Sequence, residues 1–141
     1  MLLRIVLDTD VIIAGMRSPR GASAALLNAV YMGTIQLMVS VPLALEYEAK
    51  CTLPIHYEAA GISQREAQNF VDAIVALSQP VTQHFLWRPQ LRDPGDEMVL
   101  ETAINGRAFA IATFNTRDYG EAPKQFGIAL LKPGEALKRI R

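Results

Sequence analysis

The sequence predicts an α/β protein: a three-layer sandwich with a central, mostly parallel sheet of about five strands flanked by helices. Three observations carry this expectation. Short apolar runs alternate with helical segments along the chain. Those runs are apolar at every position, as in strands covered on both faces. The helices between them carry their own start and stop residues. At 141 residues, half of them hydrophobic and 20% charged, the chain has ordinary globular composition. The span 1–141 reads as a single domain with a real core.

The elements follow in order. "LLRIVL" (2–7) is a short buried strand, and "GASAALLNAVYMG" (21–33) is an Ala- and Leu-rich helix that stops at Gly33. "IQLMVS" (35–40) is the second strand. Ser40 is placed to cap the helix "VPLALEYEAK", whose first turn tolerates Pro42. In "ISQREAQNFVDAIVAL" (62–77), Ser63 and Glu66 form a capping box, and Ala67, Phe70, Val71, Ile74 and Leu77 share one face. "PVTQHF" (80–85) is a short third strand. "DPGDEMVLETAING" (93–106) is a helix with Asp93 as cap, Pro94 first and Gly106 past its end. "AFAIAT" (108–113) and "IALL" (128–131) are strands, and "PGEALKRI" (133–140) closes as a helix. The segment 51–62, with Pro54 and Gly61, receives no assignment.

Charge and cysteine content narrow the function classes. Fourteen basic residues balance fourteen acidic ones, so no global field draws the chain to nucleic acid or anionic membrane. A polyanion must be held by a local patch or by metal. The single Cys51 excludes an internal disulfide and fits a reducing compartment; His56 and His84 form no zinc-ligand spacing with it. No stretch approaches a membrane span, and "MLLRIVLDTD" turns acidic too soon for a signal peptide. The expected location is cytoplasmic, with no membrane partner.

In open parallel sheets ligands bind at the carboxyl ends of the strands, and acids fall there. Asp8 ends the first strand, Glu46 lies on the helix after the second, and "FNTRD" after "AFAIAT" supplies Asn115 and Asp118. Asp96 opens the helix that feeds that strand. At helical spacing it shares a face with Val99, Leu100 and Ala103, whereas Glu97 falls with Glu101 toward solvent. Singly, each acid has an ordinary reading as a cap, a solvated helix residue or a turn residue. Gathered at one edge they would repel and raise one another's pKa values unless a cation were present. Oxygen ligands without His or Cys select hard ions, so Mg2+ or Mn2+ is expected rather than zinc.

"VLDTDVIIAG", "VSVPLALEYE", "RDPGDEMVLETA" and "IATFNTRDY" resemble, in order and spacing, the four acidic motifs of PIN domains, small metal-dependent ribonucleases. The likeness runs from Arg4 to Leu137 and is closest to toxin components of bacterial toxin–antitoxin pairs. It implies a PIN-like sandwich that hydrolyses RNA phosphodiester bonds with one or two Mg2+ or Mn2+ ions. Asp8, Glu46 and Asp96 would form the acidic core and, with Asp118, hold the metal. Asn115 stands where the family often has aspartate and joins the catalytic set, while Asp10 stands where the family often has asparagine or serine. Thr113 could bond a phosphate oxygen. Arg17 and Arg20 in "GMRSPRG", and Arg117 beside the last motif, are candidate phosphate contacts. Arg92 also flanks a motif but reads as a solvent charge, and Trp87 and Tyr119 as packed residues rather than base-stacking ones. The implied partners are RNA, a cognate antitoxin and a second copy of the chain. "LDTDVI" also fits the nucleophile loop of haloacid-dehalogenase-type phosphatases, with Asp8 as nucleophile, but leaves Glu46 and "FNTRD" without a role. A catalytically silent PIN-like binding module is the remaining alternative, given Asn115.

Overall fold

The computed structural model describes residues 2–84 and 91–140. Its centre is β1 (Leu3–Leu7), paired in parallel on both sides. Ile5 stands beside Leu37 of β2 (Ile35–Ser40) and beside Ala110 of β4 (Ala110–Ala112). Two more parallel strands, β3 (Gln79–Val81) next to β2 and β5 (Ala129–Leu131) next to β4, complete the order β3-β2-β1-β4-β5. All five strands run the same way, which accounts for their apolar character at nearly every position. Arg4, in the central strand, is one of the few polar exceptions. Its guanidinium reaches out of the sheet to donate to the Gly106 carbonyl at 2.6 and 3.1 Å.

The third strand begins one residue earlier than expected and ends at Val81; Phe85, in the expected span, lies outside the described residues. Pro80 offers no N–H to a ladder, so a strand containing it belongs at a sheet edge, where β3 lies.

The helices arise from local signals. Asp8 caps α1 (Thr9–Arg17), its carboxylate accepting from the Thr9 amide at 2.7 Å. After α2 (Ala22–Tyr31), Gly33 takes a positive φ of 73° in the turn to β2. Ser40 caps α3 (Val41–Cys51), where Leu43, Tyr47 and Cys51 form one buried row. The Tyr47 phenol donates to the Leu7 carbonyl and so ties α3 to the end of β1. Burial pushes the Cys51 thiol up to about 12. The unassigned stretch contains α4 (Pro54–Ala59), a single short helix begun by proline. The capping box of Ser63 and Glu66 opens α5 (Gln64–Leu77) as expected.

On the face opposite α1 and α2, right-handed crossovers place α6 (Pro94–Asn105), which packs across β1, β2 and β4. Here one expectation fails. Glu97 and Glu101 are not solvated: they are 4% and 0% exposed. Leu91, in the chain leading into α6, folds back so that its amide donates to Glu97 Oε1 at 2.6 Å. A one-face reading of the periodicity misses this second covering layer. Two short helices, α7 (Thr116–Tyr119) and α8 (Ala122–Gln125), then lead to β5 and to α9 (Pro133–Ile140), which packs on α2.

Gly106 joins these layers. A Cβ there would stand 2.9 Å from both the Thr102 carbonyl and Val81 Cγ2. Gly106→Ala should therefore lower stability by about 1–3 kcal/mol through overpacking, read as a reduced denaturant midpoint with unchanged slope. A midpoint equal to that of the wild type would show that the contact relaxes freely.

Candidate functional site

In the strand order β3-β2-β1-β4-β5, the connections from β1 and β4 leave toward opposite edges of the sheet. A crevice opens at such a switch point, beyond the carboxyl ends of the two strands. Asp8 follows β1 and Thr113 follows β4, and the Asp8 amide still donates to the Ala112 carbonyl at 2.9 Å. The sheet itself sets the spacing of these two residues.

Asp8 is 7% exposed and receives three hydrogen bonds. Thr9 serves Oδ1 at 2.7 Å, while the hydroxyls of Thr113 and Tyr119 serve Oδ2 at 2.8 and 3.0 Å. Burial nonetheless wins and raises its pKa, the hydrogen bonds opposing and the charge of Asp93 adding to the rise. Asp10 lies in the first turn of α1. Its Oδ2 accepts from the Phe114 amide at 3.1 Å and the Asn115 side-chain amide at 3.0 Å, and Oδ1 is buried with no partner among the described residues. Burial first, and then the charge of Asp8, push Asp10 up to about 6. Asp96 also rises to about 6, through burial and then the charges of Asp8, Asp93 and Asp118.

These placements sort the expected site residues. Asp8 and Asp96 are brought together electrostatically, and the exposed Asp118 joins them through Asp96. Asn115 turns to Asp10. Thr113 is 0% exposed and its proton serves Asp8, so it positions that carboxylate rather than meeting a substrate. Glu46 faces Lys50, one turn on, at 3.9 Å, and is not among the charges that chiefly raise Asp8, Asp10 or Asp96. A cleft of about 710 Å3 is lined by Arg92, Asp93, Asp96, Arg117, Asp118 and Tyr119, among others. Arg117 is thus where a phosphate contact would be, and so is Arg92, which reads from the sequence as a solvent charge. Arg17 and Arg20 are not. Arg17 ends α1, about 13.5 Å along its axis from Asp8 at 1.5 Å per residue; burial and then the charge of Arg17 lower the pKa of His56. Arg20 lines a separate hollow with Gly15, Tyr31 and Phe70. Trp87 lies outside the described residues.

Sequence reasoning missed Asp10, Asp93 and Tyr119 as parts of the site. The acid-hydroxyl-acid run was a usable signal for Asp10, because residue 10 of a helix capped by residue 8 stays near the cap. Nothing local marks a tyrosine four residues past a turn as a donor to Asp8.

Among the described residues, no three His, Cys, Asp or Glu side chains converge into a ready-made metal cage. The donor set nevertheless suits a hard cation. It is oxygen-only, its carboxylates raise one another's pKa, and a buried Asp10 oxygen lacks a partner. Magnesium commonly keeps several waters and needs only one or two carboxylates.

An α/β fold with acids at the switch point of a parallel sheet is a scaffold for handling phosphate groups near a cation. A family model for the PIN domain matches residues 4–117, and the chain belongs to that family. The match reaches from β1 into α7 and includes Asp8, Asp10, Glu46, Asp96 and Asn115, but stops before Asp118 and Tyr119. No curated protein matches the chain. PIN domains are generally nucleases acting on nucleic acids, typically with divalent metals. Among the described residues no helix is long and apolar enough to cross a membrane.

Asp10 and Asp96 titrate near 6 in the folded chain against 3.8 for a free side chain. Between those values the folded state holds protons that the unfolded state has released, so raising the pH favours unfolding. In chelator, the melting temperature should carry a destabilising contribution from these acids that grows from about pH 4 to pH 7. Asp10→Asn should flatten the profile; superimposable profiles would remove Asp10 from this titration.

Proposed function

We propose that the protein is a divalent-metal-dependent endoribonuclease that hydrolyses RNA phosphodiester bonds. It acts in the cytoplasm as the toxin half of a toxin–antitoxin pair and works as a homo-oligomer. The observation that carries the catalytic reading is the set of mutually repelling carboxylates Asp8, Asp10 and Asp96 beside an arginine-lined cleft. The toxin role rests on the likeness of the four motifs to such proteins, and the cytoplasmic reading on the lone buried Cys51.

In this reading Asp8 and Asp96, with Asp118 and Glu46, would hold one or two Mg2+ or Mn2+ ions. A bound ion would supply an acidified water and offset charge on the departing oxygen. Thr113 and Tyr119 fix the orientation of Asp8, and Asn115 does the same for Asp10. Arg92 and Arg117 take the phosphates flanking the cleavage point. Membership of the PIN family displaces the phosphatase alternative. The pairing of Glu46 with Lys50 favours one second reading, a silent binding module that never assembles its metal site.

The two readings separate experimentally. The wild type should cleave single-stranded RNA with magnesium or manganese and not in chelator. Asp8→Asn should lose activity by about a hundredfold or more, as losses of placed electrostatic groups do, with its circular dichroism unchanged. Divalent ion at a hundred times its Kd should add about 2.7 kcal/mol of stability. A wild type inert with every divalent ion, and unstabilised by any, would leave the binding module. Induced expression should arrest bacterial growth, and Asp8→Asn should relieve the arrest.

A further inference from the structure

We propose that Phe114 is a stacking platform for an unpaired nucleobase beside the cleaved bond. The proposal rests on the nuclease reading above. Phe114 is 49% exposed and belongs neither to the hydrophobic core nor to the residues packed against it. Phe70 and Phe126 do pack against that core, and Phe109 lies beneath the Arg139 guanidinium at 5.7 Å. Phe114 stands apart from them, with its backbone fixed at the acidic centre.

Three hydrogen bonds root it there. Its own amide donates to Asp10 Oδ2 at 3.1 Å. Thr113 before it donates to Asp8 at 2.8 Å, and Asn115 after it donates to Asp10 at 3.0 Å. The Phe114 backbone is therefore held next to the carboxylates, and its half-exposed ring turns only about its own side-chain bonds. An aromatic face so placed has little to offer a phosphate or a metal. It suits the π-face of a base, which every base presents, and stacking of this kind tolerates sequence. Paired RNA keeps its base faces covered, so a ring that stacks selects an unpaired strand. Phe114 does not line the cleft that holds Arg92 and Arg117. A strand whose phosphates lie in that cleft would cross the acids and bring a neighbouring base to the ring.

The test uses short fluorescent single-stranded RNA, bound by the full chain carrying Asp8→Asn in magnesium. Adding Phe114→Ala should weaken binding about tenfold, within the range known for loss of one stacked base, while Phe114→Trp should restore it. In the otherwise wild-type chain, Phe114→Ala should raise KM with kcat little changed. Moving a single abasic nucleotide along the RNA should reveal one position whose loss mimics Phe114→Ala and adds nothing to it. Equal affinity of the alanine variant and its parent overturns the proposal while leaving the nuclease reading intact. Wild type that neither binds nor cleaves RNA defeats both. If Phe114→Ala changes the oligomeric state without changing RNA affinity, the ring serves a protein interface and the proposal is wrong.

Discussion

The burial of Asp8 at the tip of the central strand is the constraint around which the rest of the site is arranged. A carboxylate at 7% exposure is costly unless hydrogen-bonded or paired with a cation. The chain supplies three donors from three places: the first amide of α1, the hydroxyl that ends β4, and a phenol from α7. Each holds Asp8, and Asp8 in turn holds each of those elements at the sheet edge. Even so, its pKa stays raised, so hydrogen bonding alone leaves the charge incompletely compensated. That residual is the physical basis for expecting a cation among these acids.

Support for Asp8 extends well behind it. Tyr47 reaches from α3 to the carbonyl of Leu7, the residue before Asp8. Behind α3, the Ser40 and Thr102 hydroxyls share a hydrogen bond at 2.7 Å, linking the cap of α3 to α6, which also carries Asp96. The helices that carry Glu46 and Asp96 are therefore braced against each other and against β1. Such bracing favours a site that keeps its geometry before any ligand arrives. Glu46, paired with Lys50 along α3, is the half-buried member of the set whose charge is engaged elsewhere.

Much of the fold was legible in the sequence because its signals are local. Continuous apolar runs, the Ser63–Glu66 box, Asp93-Pro94 and the glycine after α2 each specify an element within a few residues. Asp8 and Asp96 were legible for a related reason: strand ends and helix starts meet at one edge of a parallel sheet. What failed depended on contacts across the chain. Glu97 and Glu101 look solvated by helical spacing alone, yet both are buried, and the Leu91 amide folds back onto Glu97. Arg17, a candidate phosphate contact in "GMRSPRG", is the last residue of α1, nine residues along the helix from its Asp8 cap. Arg92 and Tyr119 enter the site because of loop paths that no periodicity encodes.

The lone cysteine on the inner row of α3 has a practical corollary. A thiol packed in the core and pushed up to about 12 carries almost no thiolate at neutral pH, and thiolate is the form that reacts. The Cys51 thiol of the native chain should thus resist mild oxidants and alkylating reagents, and its modification would register the moments when α3 lifts from the sheet. A cysteine introduced at any surface position would be the sole thiol handle on the folded molecule, with no need to remove the original.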